Sequence, residues 1–265
     1  MDLELKNQSV AVFGGAGTIG QAVVKRFIEE GCQVLIFDAH SSTDEISKSM
    51  HENVLSIRSN VVDYEAVKMG LKDAANRFGG IDHVVFSVGA GSGKFGFPFW
   101  NLEPSDWSGI LEINLQGAVN VAHAFAPYAV RQKAGSITFF TSVAGQIGSQ
   151  TDPPYSAAKA GLINFMQCVA KDLAPYRVRA NAISPGMVAS ELNRSVWQAG
   201  QNILPEEDRL EYEDWANKKI RMISPLNDWQ RPEDLGAMAA YLASVKARQI
   251  TGQVINVDGG QVMHA

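Results

Sequence analysis

Ser9-Val-Ala-Val-Phe13-Gly14-Gly-Ala-Gly17-Thr-Ile-Gly20 is a short apolar run that ends in a glycine loop. Beyond it Ile19, Ala22, Val23 and Phe27 recur at helical spacing and Gly31 supplies a helix stop, so the loop joins a strand to the start of a helix. Gly15, Gly17 and Gly20 fit G-x-G-x-x-G. Glycine at these positions lets the backbone approach a pyrophosphate lying against the positive end of the helix. The spacing alone is a weak signal; the flanking strand and helix give it meaning.

The next strand, Gln33–Phe37, delivers Asp38. A carboxylate there accepts hydrogen bonds from an adenosine ribose and repels a 2′-phosphate, which favours NAD over NADP. No Arg or Lys stands at 13–18 or 39–42. A plain helix or turn cap is the competing role for Asp38. The pattern then repeats with a strand at Asn53–Ile57, a helix at Tyr64–Arg77 and a strand at Asp82–Phe86. Further strands are read at Ser136–Thr141, Val178–Gly186 and Gly252–Gly260. Strands alternating with helices predict an α/β fold, a parallel sheet wound on both sides, with residues 1–265 as a single domain. Gly89-Ala-Gly-Ser-Gly93 follows the fourth strand, at the end where such sheets bind ligands.

The chemistry concentrates in residues 142–159, Ser-Val-Ala-Gly-Gln-Ile-Gly-Ser-Gln-Thr-Asp-Pro-Pro-Tyr-Ser-Ala-Ala-Lys. Leu162, Phe165, Met166, Val169 and Leu173 continue at helical spacing, so Tyr155 and Lys159 stand one above the other on a helix face. A free tyrosine, with a pKa of about 10, is a poor base at neutral pH. The neighbouring ammonium is expected to lower that value by charge. Tyr155 then exchanges a proton with an alcohol or ketone, and Ser142, at the end of an apolar strand, holds the reacting oxygen. Tyr64 and Lys68 share the spacing but lie in a charged segment with no serine-bearing strand before it, and read as an ordinary helix face.

The formal charge of -5, without a basic stripe, excludes nucleic acid and anionic membrane as main partners, leaving a small-molecule substrate. The acidic N-terminus lacks the regions of a secretory signal, so a cytoplasmic protein is expected. The low-charge stretch Trp107–Val130 is interrupted by Glu112, Asn114, Gln116, Asn120, His123 and Pro127, and reads as a buried helix of a protein without membrane spans. Cys32 and Cys168 read as small buried hydrophobes, and the histidines show no metal spacing, so no metal is expected. Residues 187–230 break the rhythm with Trp197, Trp215, Trp229 and the charged run Glu206–Asp214, a natural lid over the strand ends. Candidate substrate contacts are Lys94, Trp100, Gln146, Gln150 and Trp197. Gln146, Gln150 and Asp152 suit hydroxyl groups, whereas Phe95, Phe97, Phe99 and Trp100 suit an apolar mouth or plain packing.

In order and spacing, the glycine loop, Asp38, Asn114, Ser142, Tyr155 with Lys159, Pro185-Gly186 and the closing Val257-Asp-Gly-Gly260 resemble the short-chain dehydrogenases/reductases, over essentially the whole chain. The resemblance implies a Rossmann-type sheet of about seven strands in the order 3-2-1-4-5-6-7, with helices on both faces. It implies that Tyr155 donates or accepts the proton and that Lys159 lowers its pKa and holds the nicotinamide ribose. Ser142 would orient the substrate oxygen and Asn114 would anchor a water relaying protons to the lysine. Cofactor contacts would come from Gly14, Gly17, Thr18, Ile19, Gly20, Asp38, Asn60, Val61, Ser87, Gly89, Tyr155, Lys159, Gly186, Val188 and Ser190. A homo-oligomer, tetramer or dimer, is implied likewise. The chain departs from the family pattern at Phe13, in place of a threonine, and at Thr18, in place of the middle glycine. Asn60 replaces an adenine-binding aspartate, and Phe86-Ser-Val-Gly89 replaces Asn-Asn-Ala-Gly.

The resulting expectation is an NAD-dependent oxidoreductase that interconverts a small polar secondary alcohol, of the sugar, polyol or hydroxy acid class, and its ketone or lactone. The alternatives are an NADPH-dependent 3-oxoacyl reductase, which needs a basic 2′-phosphate site, and a non-catalytic dinucleotide sensor. An enoyl reductase of this family would carry a wider Tyr-to-Lys spacing.

Overall fold

The computed structural model of the chain describes residues 1–40, 42–50, 54–149 and 151–264. Within them β1 (Ser9–Phe13), β2 (Gln33–Asp38), β3 (Leu55–Arg58), β4 (His83–Phe86), β5 (Ser136–Phe140), β6 (Arg179–Pro185) and β7 (Val254–Val257) form one seven-stranded sheet, ordered β3-β2-β1-β4-β5-β6-β7. All neighbours are parallel, as the sequence and its family resemblance imply. Alternate residues feed opposite faces: Ala11 and Phe13 join the core on one side of the sheet, Val10 and Val12 the core on the other. Both faces being covered, β1 and β4 are buried along their whole length and read as unbroken apolar runs. The order of strands reverses between β1 and β4, and the crevice beyond their C-terminal ends is where such sheets bind ligands.

Helices α1 (Thr18–Glu29), α2 (Thr43–Met50), α3 (Tyr64–Phe78), α4 (Ser108–Leu111), α5 (Gly117–Gln132), α6 (Pro153–Leu173), α7 (Glu191–Asn202), α8 (Tyr212–Ile223) and α9 (Pro232–Ala243) complete the fold. Buried residues of α3, α5 and α6 fill one core and those of α1 and α9 the other. The α1–α9 contact is so close that a Cβ on Gly236 would come within 2.7 Å of the Ala22 carbonyl.

Several boundaries differ from the sequence reading. Strand β3 begins at Leu55, later than expected, and Asn53 lies outside the described residues. Strand β7 stops at Val257 because Gly259 and Gly260 turn the chain with φ of 67° and 88°. The stretch Trp107–Val130, expected as one buried helix, is α4 and α5 joined by a π-helical turn, Glu112–Gln116. Cys32 is half-buried, its thiol pushed up to about 12 by burial and nearby carboxylates, but Cys168 faces solvent rather than the core. Among the described residues no helix is long and apolar enough to cross a membrane, and no group of His, Cys, Asp and Glu is placed to hold a metal ion.

His83, on β4, is 3% exposed. It accepts from the Ser136 hydroxyl at Nδ1 (2.8 Å) and donates from Nε2 to the Gln8 side-chain oxygen. Burial lowers its pKa from 6.5 to about 4. A folded-state value below the unfolded one means that the neutral form stabilises the fold. That contribution is complete above pH 6.5 and is lost as the pH falls toward 4. The expected loss is about 3 kcal/mol. Denaturation midpoints across that window should fall more steeply for the wild type than for His83→Gln.

Candidate active site

Ser142 follows β5 and opens a short 3-10 turn, Val143–Gly145, its Oγ accepting the Ala144 N–H at 3.1 Å. The chain returns at Pro153, which starts α6 where a missing N–H costs nothing. One turn in, Tyr155 and Lys159 face the crevice. Lys159 is 2% exposed, and its Nζ donates to the carbonyls of Phe140 (3.0 Å) and Val88 (3.2 Å). The ends of β5 and β4 therefore fix the lysine, 5.5 Å from the Tyr155 ring centroid. Burial lowers the lysine pKa to about 7. Tyr155 is pushed up to about 12, chiefly by burial; the Ser142 hydroxyl opposes this and the Asp152 charge adds to it. This reverses the expected direction, because taking the phenolate out of water dominates over the Ser142 hydrogen bond. Tyr155 is thus held protonated at neutral pH.

Asn114 is fully buried. Its Nδ2 donates to the carbonyls of Ala90 (2.8 Å) and Ile110 (2.9 Å), and its Oδ1 accepts the Ala90 N–H at 3.3 Å. The π-helical turn re-aims this one side chain out of an otherwise regular helix. A Cβ on Gly89 would stand 3.6 Å from both Asn114 Oδ1 and Lys159 Nζ, an ordinary contact distance. Gly89→Ala is therefore expected to fold normally but to fill the gap between these groups. We expect both kcat and dinucleotide affinity to fall, by about tenfold each, since the added methyl also enters the space where the two cavities meet, measured by steady-state kinetics alongside a binding titration.

The glycine loop fits a dinucleotide. Gly14 has φ +79° and a Cβ there would lie 2.8 Å from the Val88 nitrogen; at Gly20 it would lie 2.0 Å from the Gly14 carbonyl. Gly17 caps α1 without a side-chain acceptor, and no acidic residue occupies the first turn, so the helix N–H groups stay open to an anion. Two cavities meet over this helix end, sharing Gly17, Thr18, Ser87 and Gly89. The first, about 350 Å³, also contains Ile19, Gly20, Ser142, Tyr155, Lys159, Gly186, Val188 and Ser190. The second, about 620 Å³, contains Gly14, Asp38, Asn60 and Val61. A nicotinamide half and an adenosine half joined by pyrophosphate match this layout.

Asp38 accepts backbone N–H groups from Ala16 (2.9 Å) and His40 (3.0 Å). Its register partner on β3 is Arg58, whose Nε donates to the Ala39 carbonyl at 3.4 Å. This cation lies far from Asp38 in sequence, outside the positions where a basic neighbour was sought.

The proposed substrate contacts are mostly placed elsewhere. Lys94 is exposed and bonded to both oxygens of Asp106 (2.8 and 2.9 Å). Trp100 is 69% exposed and packs edge-on against Phe99. Trp197 donates to the Leu210 carbonyl and packs on Tyr212, which also touches Trp215 and Trp229; the tryptophans of the 187–230 segment serve its own packing. Gln146 donates to Ser184 and to Asn256 (2.7 Å) and bonds His264, tying its turn to β6, β7 and the C-terminus. Gln150 lies outside the described residues. Asp152 does line the first cavity; one oxygen accepts the Ser92 N–H at 2.7 Å and the other is buried without a partner. Lys219, on α8, lines the same cavity, and nothing in the sequence around it marks it as a site residue.

A family model described as Enoyl-(Acyl carrier protein) reductase matches residues 14–262. The chain is 31% identical over 260 residues to an acetoacetyl-CoA reductase of Synechocystis sp., covering 98% of each protein. It is 29% identical over 265 residues to a 3-oxoacyl-[acyl-carrier-protein] reductase of Thermotoga maritima, covering 98% of this chain and 100% of that one. A crystal structure of a short chain dehydrogenase from Bacillus anthracis superposes with a TM-score of 0.83 at 23% identity, over 98% of both chains.

Proposed function

The chain belongs to the short-chain dehydrogenase/reductase family of oxidoreductases, and on that premise we propose that it reduces the 3-oxo group of an acyl thioester to a hydroxyl, and catalyses the reverse. The observation that carries this reading is the meeting of Ser142, Tyr155 and the anchored Lys159 in one cavity, with burial keeping the phenol protonated. A reduction ends by protonating an alkoxide, a stronger base than a phenolate, and Tyr155 is poised to do so. The names of the two relatives, an acetoacetyl-CoA and a 3-oxoacyl carrier reductase, point the same way.

Ser142 and Tyr155 hold the carbonyl oxygen and stabilise the charge that grows on it. A nicotinamide dinucleotide held by the Gly14–Gly20 loop, Asp38 and Lys159 would supply hydride to the carbonyl carbon. Tyr155 gives its proton to the oxygen as the C–H bond forms, leaving a secondary alcohol and a phenolate. Lys159, anchored on the Phe140 and Val88 carbonyls, stands beside the ring to return a proton. Asn114 holds the strand-end loop at Ala90 in place beside the lysine. NAD is the proposed cofactor, on the strength of the Asp38 carboxylate in the adenosine cavity.

The enoyl reaction named by the family model is not favoured, since Tyr155 and Lys159 keep the one-turn spacing and not the wider one. NAD-linked oxidation of a small polar alcohol is the second reading, supported by Ser149, Thr151 and Asp152 on the cavity wall. The test is kcat/KM for acetoacetyl thioester, crotonyl thioester and a panel of polyols, each with both cofactors. Highest efficiency for the acetoacetyl thioester is expected; a polyol or the crotonyl thioester in first place would overturn the proposal.

A further inference from the structure

Lys219, on α8, lines the cavity that holds Ser142 and Tyr155. It is half-buried, with its Nζ 4.8 Å above the Trp215 ring. None of the ion pairs among the described residues includes it. Withdrawing an ammonium from water without an anion is unfavourable, and burial accordingly holds this one below the usual lysine range. The two carboxylates on the cavity wall do not supply a partner. Asp152 is engaged by Ser92 at the base of α6, and Glu191 is exposed on the side shared with the adenosine cavity. The aromatic face of Trp215 holds the lysine in place but leaves its charge unmet.

We propose that Lys219 receives a carboxylate, so that a small free 3-oxo acid is a second substrate beside the thioester. This inference rests on the carbonyl-reductase reading above and extends its substrate range. The cavity wall carries Tyr155 and Lys219 together with apolar Val143, Leu192 and Val196, so a short chain can present its ketone to Tyr155 and its acid to Lys219.

The experiment compares acetoacetate, acetonylphosphonate and an acetoacetyl thioester as substrates for wild type, Lys219→Met and Lys219→Arg. It adds an equilibrium titration of acetoacetate by tryptophan fluorescence. The expected result is that Lys219→Met raises KM for acetoacetate by roughly tenfold or more, weakens the titrated affinity in parallel, and leaves kcat and the thioester KM little changed. Lys219→Arg should restore most of the affinity. A better response to the phosphonate than to the acid would assign the same residue to phosphorus oxyanions, overturning the carboxylate assignment. Unchanged KM and affinity in Lys219→Met, with the thioester still reduced, would overturn the inference and leave the reductase reading standing. No turnover of any 3-oxo compound by the wild type would defeat that reading instead.

Discussion

Tyr155→Phe is expected to lower kcat by roughly a hundred- to ten-thousand-fold, the usual contribution of a positioned acid or base. The ring sits beneath the strand ends beside Lys159, with the nitrogen 5.5 Å from its centroid, so phenylalanine preserves the packing and removes only the proton. Dinucleotide affinity and melting temperature should change little. Tyr64→Phe is the control. That hydroxyl meets His123 at 2.7 Å on the far side of α3, away from both cavities, and its loss should leave turnover intact. Comparable turnover in the two variants would remove Tyr155 from the mechanism.

Asp38→Ala should shift the ratio of kcat/KM for NAD over NADP toward NADP by about ten- to a hundredfold. That range follows from one unit charge near a 2′-phosphate at intermediate dielectric. The carboxylate repels the phosphate, and Arg58, its neighbour across β2 and β3, becomes the unopposed charge once it is gone. Arg58→Ala in the same background should reverse much of the gain. Affinities measured by titration with each dinucleotide should follow the same pattern as the kinetic ratio. A wild type that already prefers NADP would mean that Arg58 outweighs Asp38, and the proposed NAD preference would fall.

The sheet was legible because burial on both faces makes parallel strands continuous apolar runs, and the glycine loop fixes where the first crossover begins. Ser142, Tyr155 and Lys159 were legible because helical spacing after a serine-bearing strand puts them together. Helix α9 was not read: its buried face is made of Leu235, Gly236, Ala239, Ala240, Leu242 and Ala243, whose small side chains mute the helical period. Arg58 and Lys219 belong to another class of omission. Each acquires its meaning from a partner distant in sequence, through strand register or through the place of α8 on the cavity wall, and no local pattern marks it. The pKa of Tyr155 was misjudged for a related reason, since charge is visible in sequence and desolvation is not. Gln146, which sequence position made a substrate contact, is held by Ser184, Asn256 and His264 from the far end of the chain.

Hydride delivery to a carbonyl carbon, completed by the Tyr155 proton, is the central claim. It is tested most directly by reducing an acetoacetyl compound with a cofactor deuterated at the transferring position and locating the label by mass spectrometry. A single deuterium on the carbon that becomes the alcohol, formed by the wild type and nearly absent with Tyr155→Phe, is the predicted result. Transfer of the label to C3 of a crotonyl substrate to give a saturated butyryl product, or alcohol formed without label, would contradict it.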